Sequence, residues 1–160
     1  MLITGKRSLS LLLRIVLDLI LILNLLTLIV LPFLLNAIYQ SPALLVQYPT
    51  DLMPTSYAFF LGFLYAAGLG TAWILLEGHF ILRRLELNQP FAARQSGSFR
   101  RVGVAFVWLA VVFAVKVVFY NTLLTMFCCA LFILLVLVAV ILAEIFSQAY
   151  QVKSENELTI

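Results

Sequence analysis

Apolar residues fill four long stretches of the chain, and most polar residues lie between or beyond these stretches. The stretches cover about residues 9–31, 57–82, 102–120 and 123–146. A helix that crosses a bilayer needs about twenty mostly apolar residues, and each stretch has roughly that length. Within hydrocarbon a helix satisfies its own backbone hydrogen bonds, whereas a lone strand does not. The pattern therefore predicts four spanning helices, including the valine-rich third stretch.

Polar or proline-rich segments separate the predicted helices. Residues 32–56 contain four of the five prolines, and proline at this density prevents a continuous helix. We therefore expect helix one to end at Leu31. Residues 83–101 form the most polar connection, residues 120–122 a tight one, and residues 147–160 a tail. The predicted fold is all-α, a single integral membrane domain built as a four-helix bundle.

Composition supports the membrane assignment and excludes several classes of protein. Of the 160 residues, 64% are hydrophobic and 11% are charged, whereas soluble domains are about half apolar and about one quarter charged. Such a chain is neither disordered nor a disulfide-rich secreted scaffold. The two cysteines, Cys128 and Cys129, are adjacent in an apolar stretch and point in different directions on a helix. We expect both to be buried reduced thiols.

The basic residues predict the orientation of the helices. Apart from Lys116, all of them lie on one side of the four spans: Lys6, Arg7, Arg14, Arg83, Arg84, Arg94, Arg100, Arg101 and Lys153. Because basic residues accumulate on the cytoplasmic side, we expect both termini and residues 83–101 in the cytoplasm, and the protein in the inner (plasma) membrane. Lys116 is expected to extend its ammonium group to the outer surface. Direct nucleic-acid binding is not expected, because the basic residues are dispersed at helix ends.

Ionisable residues within a span are costly and therefore mark candidate sites. Four charged residues lie in the cytoplasmic half of the predicted spans: Arg14, Asp18, Glu77 and Glu144. Arg14 and Asp18 are four residues apart on one helix face and can pair. Because the set is net negative, either a carboxylate is protonated or arginines of residues 83–101 join it. We expect a polar cluster that links helices one, two and four and is centred on Arg14 and Glu77. The alternative is that each side chain extends separately to the membrane surface.

A strip of small residues on helix two predicts close helix packing. Gly62, Ala66 and Gly70 recur every four residues, a pattern that lets spanning helices approach one another. At about 100° per residue, Glu77 lies about 20° from both Ala66 and Gly70. The carboxylate is therefore expected to point into the bundle, and His79 to lie on nearly the opposite side.

The segment 83–101 and the tail contain the residues most suited to contact a lipid or a partner. The arginines of the segment either only set the topology or also bind anionic headgroups. The tail either folds back on the segment or presents its last residues to a cytoplasmic protein. The candidate contacts are Arg83, Arg84, Pro90, Phe91, Arg94, Arg100, Arg101, Glu155, Glu157, Leu158, Thr159 and Ile160.

Two parts of the chain resemble the bacterial membrane family of domain of unknown function 2975. Residues 88–91 (NQPF) and 99–103 (FRRVG) are similar to its G-x-P-F … R-x-x-G loop. Residues 143–146 (AEIF) and 155–160 (ENELTI) are similar to its closing A-E-x-F … E-x-D-L-T-V/I. Asn88 stands where the family has glycine, and residues 92–97 lack its acidic-asparagine step. The resemblance implies a membrane protein that senses a signal and holds or releases a small helix-turn-helix transcription factor.

Three functions remain open, and a regulatory or sensor protein that engages a cytoplasmic partner comes first. The chain contains no Ser-His-Asp set, HExxH, P-loop or GxGxxG, so we expect no enzyme activity and no cofactor. A small transporter or channel is the alternative. It would use the polar cluster as a path and require a homo-oligomer, since transporters have more helices or a repeat. A haem or redox protein comes third, because His79 has no evident second axial ligand.

Overall fold

The computed structural model describes residues 4–40, 56–87 and 93–158, with side chains over 10–40, 56–87 and 95–155. These ranges contain four helices and no strand: α1 Thr4–Gln40, α2 Tyr57–Glu86, α3 Ala93–Phe119 and α4 Leu123–Leu158. Each includes a segment long and apolar enough to cross a membrane. The all-helical prediction with four candidate spans is thus confirmed.

Helix α1 continues through Pro32 to Gln40, so the predicted end at Leu31 is wrong. Proline costs the helix one backbone hydrogen bond, but the packing around it outweighs this loss. Leu31 and Leu35 are among the most buried apolar residues, at 8% and 3% exposed. The Tyr57 hydroxyl donates to the Pro32 carbonyl oxygen at 3.3 Å, which ties the start of α2 to α1 at this level.

Helices extend into the segment 83–101, predicted as a loop, and into the tail 147–160. Helix α2 extends to Glu86 with two arginines in its last turn, where basic side chains stabilise a helix end. Helix α3 starts at Ala93, and α4 runs to Leu158. The 36 residues of α4 are about 54 Å long, whereas the hydrocarbon core is about 30 Å thick.

Consecutive helices run antiparallel, so the set of four helices has two distinct ends. At one end α1 and α3 begin and α2 and α4 end. We call it the basic end, because it carries Arg14, Arg83, Arg84, Arg100 and Arg101. At the opposite, aromatic end, the rings of Tyr39 and Tyr57 meet edge to face at 5.5 Å. The ring of Tyr120 lies 5.1 Å from that of Phe59.

The helices form an open row rather than the predicted four-helix bundle. Over the described ranges, α1 packs on α2, α2 on α3 and α3 on α4, and α1 contacts neither α3 nor α4. Gly68 of α2 faces Leu28 of α1, and Gly70 faces Leu109 of α3. These glycines are about 200° apart around the helix, so the neighbours of α2 lie on opposite sides. Lipid tails are as apolar as leucine and provide no hydrophobic force that would close the row.

Candidate intramembrane ion-pair site

Two ion pairs join α1 to α2 near the basic end. Arg14 Nη1 lies 2.6 Å from Glu86 Oε2, and Asp18 Oδ1 lies 2.5 Å from His79 Nδ1. His79 and Glu86 are seven residues apart and thus share one face of α2. The predicted pairing of Arg14 with Asp18 is not formed, because both side chains reach across the helix interface to α2.

A third ion pair joins α2 to α3. Glu77 is 7% exposed, and its carboxylate accepts hydrogen bonds from Arg101 Nε and, at 3.1 Å, from Arg101 Nη2. A two-point guanidinium–carboxylate contact is the geometry that best compensates a buried carboxylate. The contact also explains why Glu77 can share the packing face of Gly70. It points into the α2–α3 interface, and a cation comes from the segment predicted as a loop.

Ser98 extends this third pair into a small network. Its hydroxyl oxygen is fully buried and accepts from Arg101 Nη2 at 3.1 Å and from Arg84 Nη1 at 2.7 Å. Arg84 Nη1 also lies 3.3 Å from Gln95 Oε1, its acceptor on the first turns of α3. A chain of hydrogen bonds therefore runs from the buried Glu77 carboxylate through Arg101, Ser98 and Arg84 to Gln95, and it fastens the end of α2 to the start of α3.

The predicted single cluster centred on Arg14 and Glu77 is not present in the part of the chain that the structure describes. Arg14 and Glu77 belong to separate pairs on opposite sides of α2. Glu144 lies on α4, exposed, and its Oε1 accepts from Gln148 Nε2 at 3.1 Å. The open row is the physical reason, since two helices separate α4 from α1 and α4 cannot contribute to one shared centre.

The small-residue strip of α2 meets α3 over part of its length. A Cβ on Gly70 would lie 2.7 Å from Leu109 Cδ2 and 2.8 Å from Trp108 Cδ1. The Ala66 carbonyl oxygen accepts from Trp108 Nε1 at 2.9 Å. Gly62, in contrast, has open space around it and lines an apolar groove of about 420 Å³ beside Trp108. Only the half of the strip near the basic end is packed.

Lys116 does not extend to the outer surface as predicted. It is 7% exposed, and its Nζ lies 5.2 Å from the centroid of the Phe63 ring on α2. A cation over an aromatic face gains electrostatic attraction that grows when water is excluded. The two cysteines are free thiols, but both are half-buried and not buried as predicted. Cys129 Sγ lies 3.6 Å from the Ala110 carbonyl oxygen across the α3–α4 interface.

The predicted partner and lipid contacts are distributed over the basic end. Arg83 and Arg100 are exposed, Arg84 and Arg101 belong to the network described above, and Glu155 is exposed on α4. The following candidates lie outside the described residues: Pro90, Phe91, Thr159 and Ile160. The side chains of three further candidates are likewise outside the description: Arg94, Glu157 and Leu158.

His79 and Glu86 were not predicted as pairing partners, and Arg101 was predicted only as one of the arginines of residues 83–101 that could join the cluster. The sequence did contain a signal for His79 and Glu86, because residues seven apart share one helix face. On that face the imidazole can pair with the acidic Asp18, and the carboxylate can pair with the basic Arg14. Arg101 was not singled out, because helix three was predicted to begin at residue 102. Within the described ranges, no three His, Cys, Asp or Glu side chains are grouped so that they could hold a metal ion.

These observations define the class: an all-helical protein with four helices long and apolar enough to span a membrane, joined near one end by ion pairs. The chain belongs to the family described as protein of unknown function (DUF2975), whose model matches residues 9–160. The resemblance predicted from the loop and carboxyl-terminal motifs is thereby confirmed. No curated protein and no solved structure is detectably similar to the chain.

Proposed function

We propose that the chain is a small inner-membrane interaction protein that binds a cytoplasmic regulator at its basic end. The observation that carries this proposal is the length of α4, which continues as an unbroken helix from the apolar span to Leu158. Residues 147–158 add about 18 Å of helix beyond Phe146. A helix that extends this far past the apolar segment offers a surface to a soluble protein.

The chemistry of this extension supports partner binding. Tyr150 and Val152 are 39% and 59% exposed, and Lys153 and Glu155 are exposed beside them. Apolar side chains surrounded by charges are typical of protein interfaces, which combine an apolar centre with a polar rim. At the same end of the row, the exposed Arg83 on α2 would add positive charge.

The cytoplasmic orientation rests on the charge asymmetry. Nine of the ten Lys and Arg residues lie on the basic-end side of the spans, and the positive-inside rule assigns that side to the cytoplasm. The family resemblance points to a small helix-turn-helix protein as the first partner to test. In this proposal the membrane protein retains the regulator at the membrane and releases it in response to a signal.

Site-specific photocrosslinking in living cells tests the proposal. A photoreactive phenylalanine analogue replaces Tyr150 or Val152, and the matched control carries it at Leu131, 55% exposed in the apolar span of the same helix. We expect an adduct with a helix-turn-helix protein from the first two positions and none from Leu131. In the variant that carries the photoreactive analogue in place of Tyr150, the further change Val152→Asp should abolish the adduct. It should also move the regulator from the membrane to the soluble fraction. Adducts of equal yield from all three positions, or none from the extension, would refute the proposal.

The transporter alternative has less support from the geometry. The three carboxylates nearest to a possible path, those of Asp18, Glu77 and Glu86, are each engaged by a cation or His79 between adjacent helices. A single row of helices encloses no path by itself, so transport would depend on a homo-oligomer. Ion flux in reconstituted vesicles that is lost in Glu77→Gln would favour this alternative over the regulatory one.

A further inference from the structure

A groove between α3 and α4 has a polar section at the basic end. This section is a cavity of about 130 Å³ lined by Ser96, Arg100, Val140, Ala143, Glu144 and Ser147. The Ser96 hydroxyl donates to the Ala143 carbonyl oxygen at 2.9 Å, so its oxygen remains available as an acceptor. One guanidinium, one carboxylate and two hydroxyl groups thus converge on a space of molecular size.

A second, apolar cavity of about 360 Å³ lies between the same two helices, further from the basic end. It is lined by valines, alanines, one isoleucine and one leucine, together with Cys129. Its α3 wall includes Val107 and Ala114, and its α4 wall includes Ile133 and Leu137. The cavity presents no charged group, so it suits a hydrocarbon chain.

Helical phase shows that the two cavities are successive sections of one groove. On α3, Arg100 and Val107 are seven residues apart, which places them within about 20° on the same face. On α4, Leu137 and Glu144 have the same spacing. The apolar section therefore continues the polar section along both helices. Measured along the α3 axis, it begins about 10 Å from Arg100, at Val107, and ends about 21 Å from Arg100, at Ala114.

The charges of the polar section are complementary to a zwitterion. Arg100 and Glu144 line the same cavity. The structure describes both side chains of three ion pairs, and neither Arg100 nor Glu144 belongs to any of the three. An anion alone would meet the carboxylate, and a cation alone would meet the guanidinium. A ligand with a phosphate for Arg100 and an ammonium group for Glu144 satisfies both, with the serine hydroxyls as further partners.

We infer that this groove binds one phospholipid with a zwitterionic amine headgroup, of the phosphatidylethanolamine type. One leaflet, including its headgroup layer, is about 20–22 Å deep. A lipid whose phosphate lies at Arg100 therefore places an acyl chain alongside the whole apolar section, as far as Ala114. This inference uses a different surface from the proposed regulator interface and does not depend on that proposal.

The test uses the purified full chain, stripped of lipid in detergent and titrated with phosphatidylethanolamine, phosphatidylglycerol or phosphatidylcholine of matched acyl chains. Bound lipid is counted by native mass spectrometry. We expect one phosphatidylethanolamine per chain with at least fivefold preference over phosphatidylglycerol. Free phosphoethanolamine distinguishes headgroup recognition from lipid recognition, and it should compete only weakly because it lacks the acyl chain.

Variants assign the two sections of the groove. Arg100→Gln should weaken phosphatidylethanolamine binding about tenfold, the size expected for one charge-assisted hydrogen bond. Glu144→Gln should remove the preference over phosphatidylglycerol, and Ala114→Phe should reduce the binding of all three lipids. Arg83→Gln, an exposed arginine on α2, is the matched control and should leave binding unchanged. Equal binding of phosphatidylglycerol by the unmodified chain, or an unchanged preference in Glu144→Gln, would overturn the inference.

Discussion

The Glu77–Arg101 pair predicts a large and asymmetric response to mutation. Arg101→Met removes the guanidinium but keeps an unbranched stem, and it leaves the buried Glu77 carboxylate without its two donors. Removal of one partner from a buried pair costs about 3–5 kcal/mol. The Arg101 side chain is 51% exposed, so screening reduces this figure. We expect a loss of about 2–3 kcal/mol in the free energy of unfolding.

Thermal unfolding in detergent measures this loss. For chains of this length 1 kcal/mol corresponds to about 2–4 °C in Tm, so Arg101→Met should lower Tm by about 4–12 °C. The double variant Glu77→Met with Arg101→Met removes both charges and should recover much of the loss, since paired residues show coupling energies of about 0.5–3 kcal/mol. Arg83→Met, an exposed arginine on α2, should change stability by less than about 0.5 kcal/mol.

Two outcomes would refute the reasoning about this pair. If Arg101→Met destabilises the chain no more than Arg83→Met, the Glu77 carboxylate does not depend on the guanidinium. If the losses from Glu77→Met and Arg101→Met simply add in the double variant, the two side chains do not act as a pair.

Two further predictions use the same assay. Arg14→Leu combined with Glu86→Leu should show coupling, whereas Arg14→Leu combined with Glu77→Leu should show additive losses, because these two residues lie in separate pairs. Additivity in the first combination or coupling in the second would contradict the assignment of partners. Gly70→Ala should cost about 1–3 kcal/mol, because its Cβ would lie within 3 Å of two α3 side chains. Gly62→Ala, with no atom near its Cβ, should be neutral or stabilising by up to about 1 kcal/mol, and an equal loss at both glycines would exclude close packing at Gly70.

The number and approximate positions of the helices could be predicted because they depend on local composition. A span must contain about twenty apolar residues in succession, and this demand is visible in the sequence without knowledge of neighbouring helices. The ends of the helices were less predictable. Pro32 indicated a helix end, yet the burial of Leu31 and Leu35 and the contact with Tyr57 keep α1 helical beyond it.

The partners of the charged residues depend on which helices are neighbours, which composition does not determine. Arg14 and Asp18 satisfy the spacing rule for pairing within one helix, but both reach α2 instead. The rotation of about 100° per residue placed Glu77 correctly on the face of Gly70, because helical phase is a local property. Its partner Arg101 is a tertiary feature, and it became evident only when α2 and α3 were seen side by side.

The distribution of ion pairs suggests how the groove and the α4 extension are related. The structure describes both side chains of three ion pairs, and each of these pairs joins α1 to α2 or α2 to α3. At the same end, α3 and α4 meet through the Ser96–Ala143 hydrogen bond and the stacked rings of Phe99 and Phe146, 4.9 Å apart. A zwitterionic headgroup between Arg100 and Glu144 would supply an electrostatic link at this third interface. Lipid binding would then stabilise α4 against α3, and with it the position of the α4 extension to which we propose that a regulator binds.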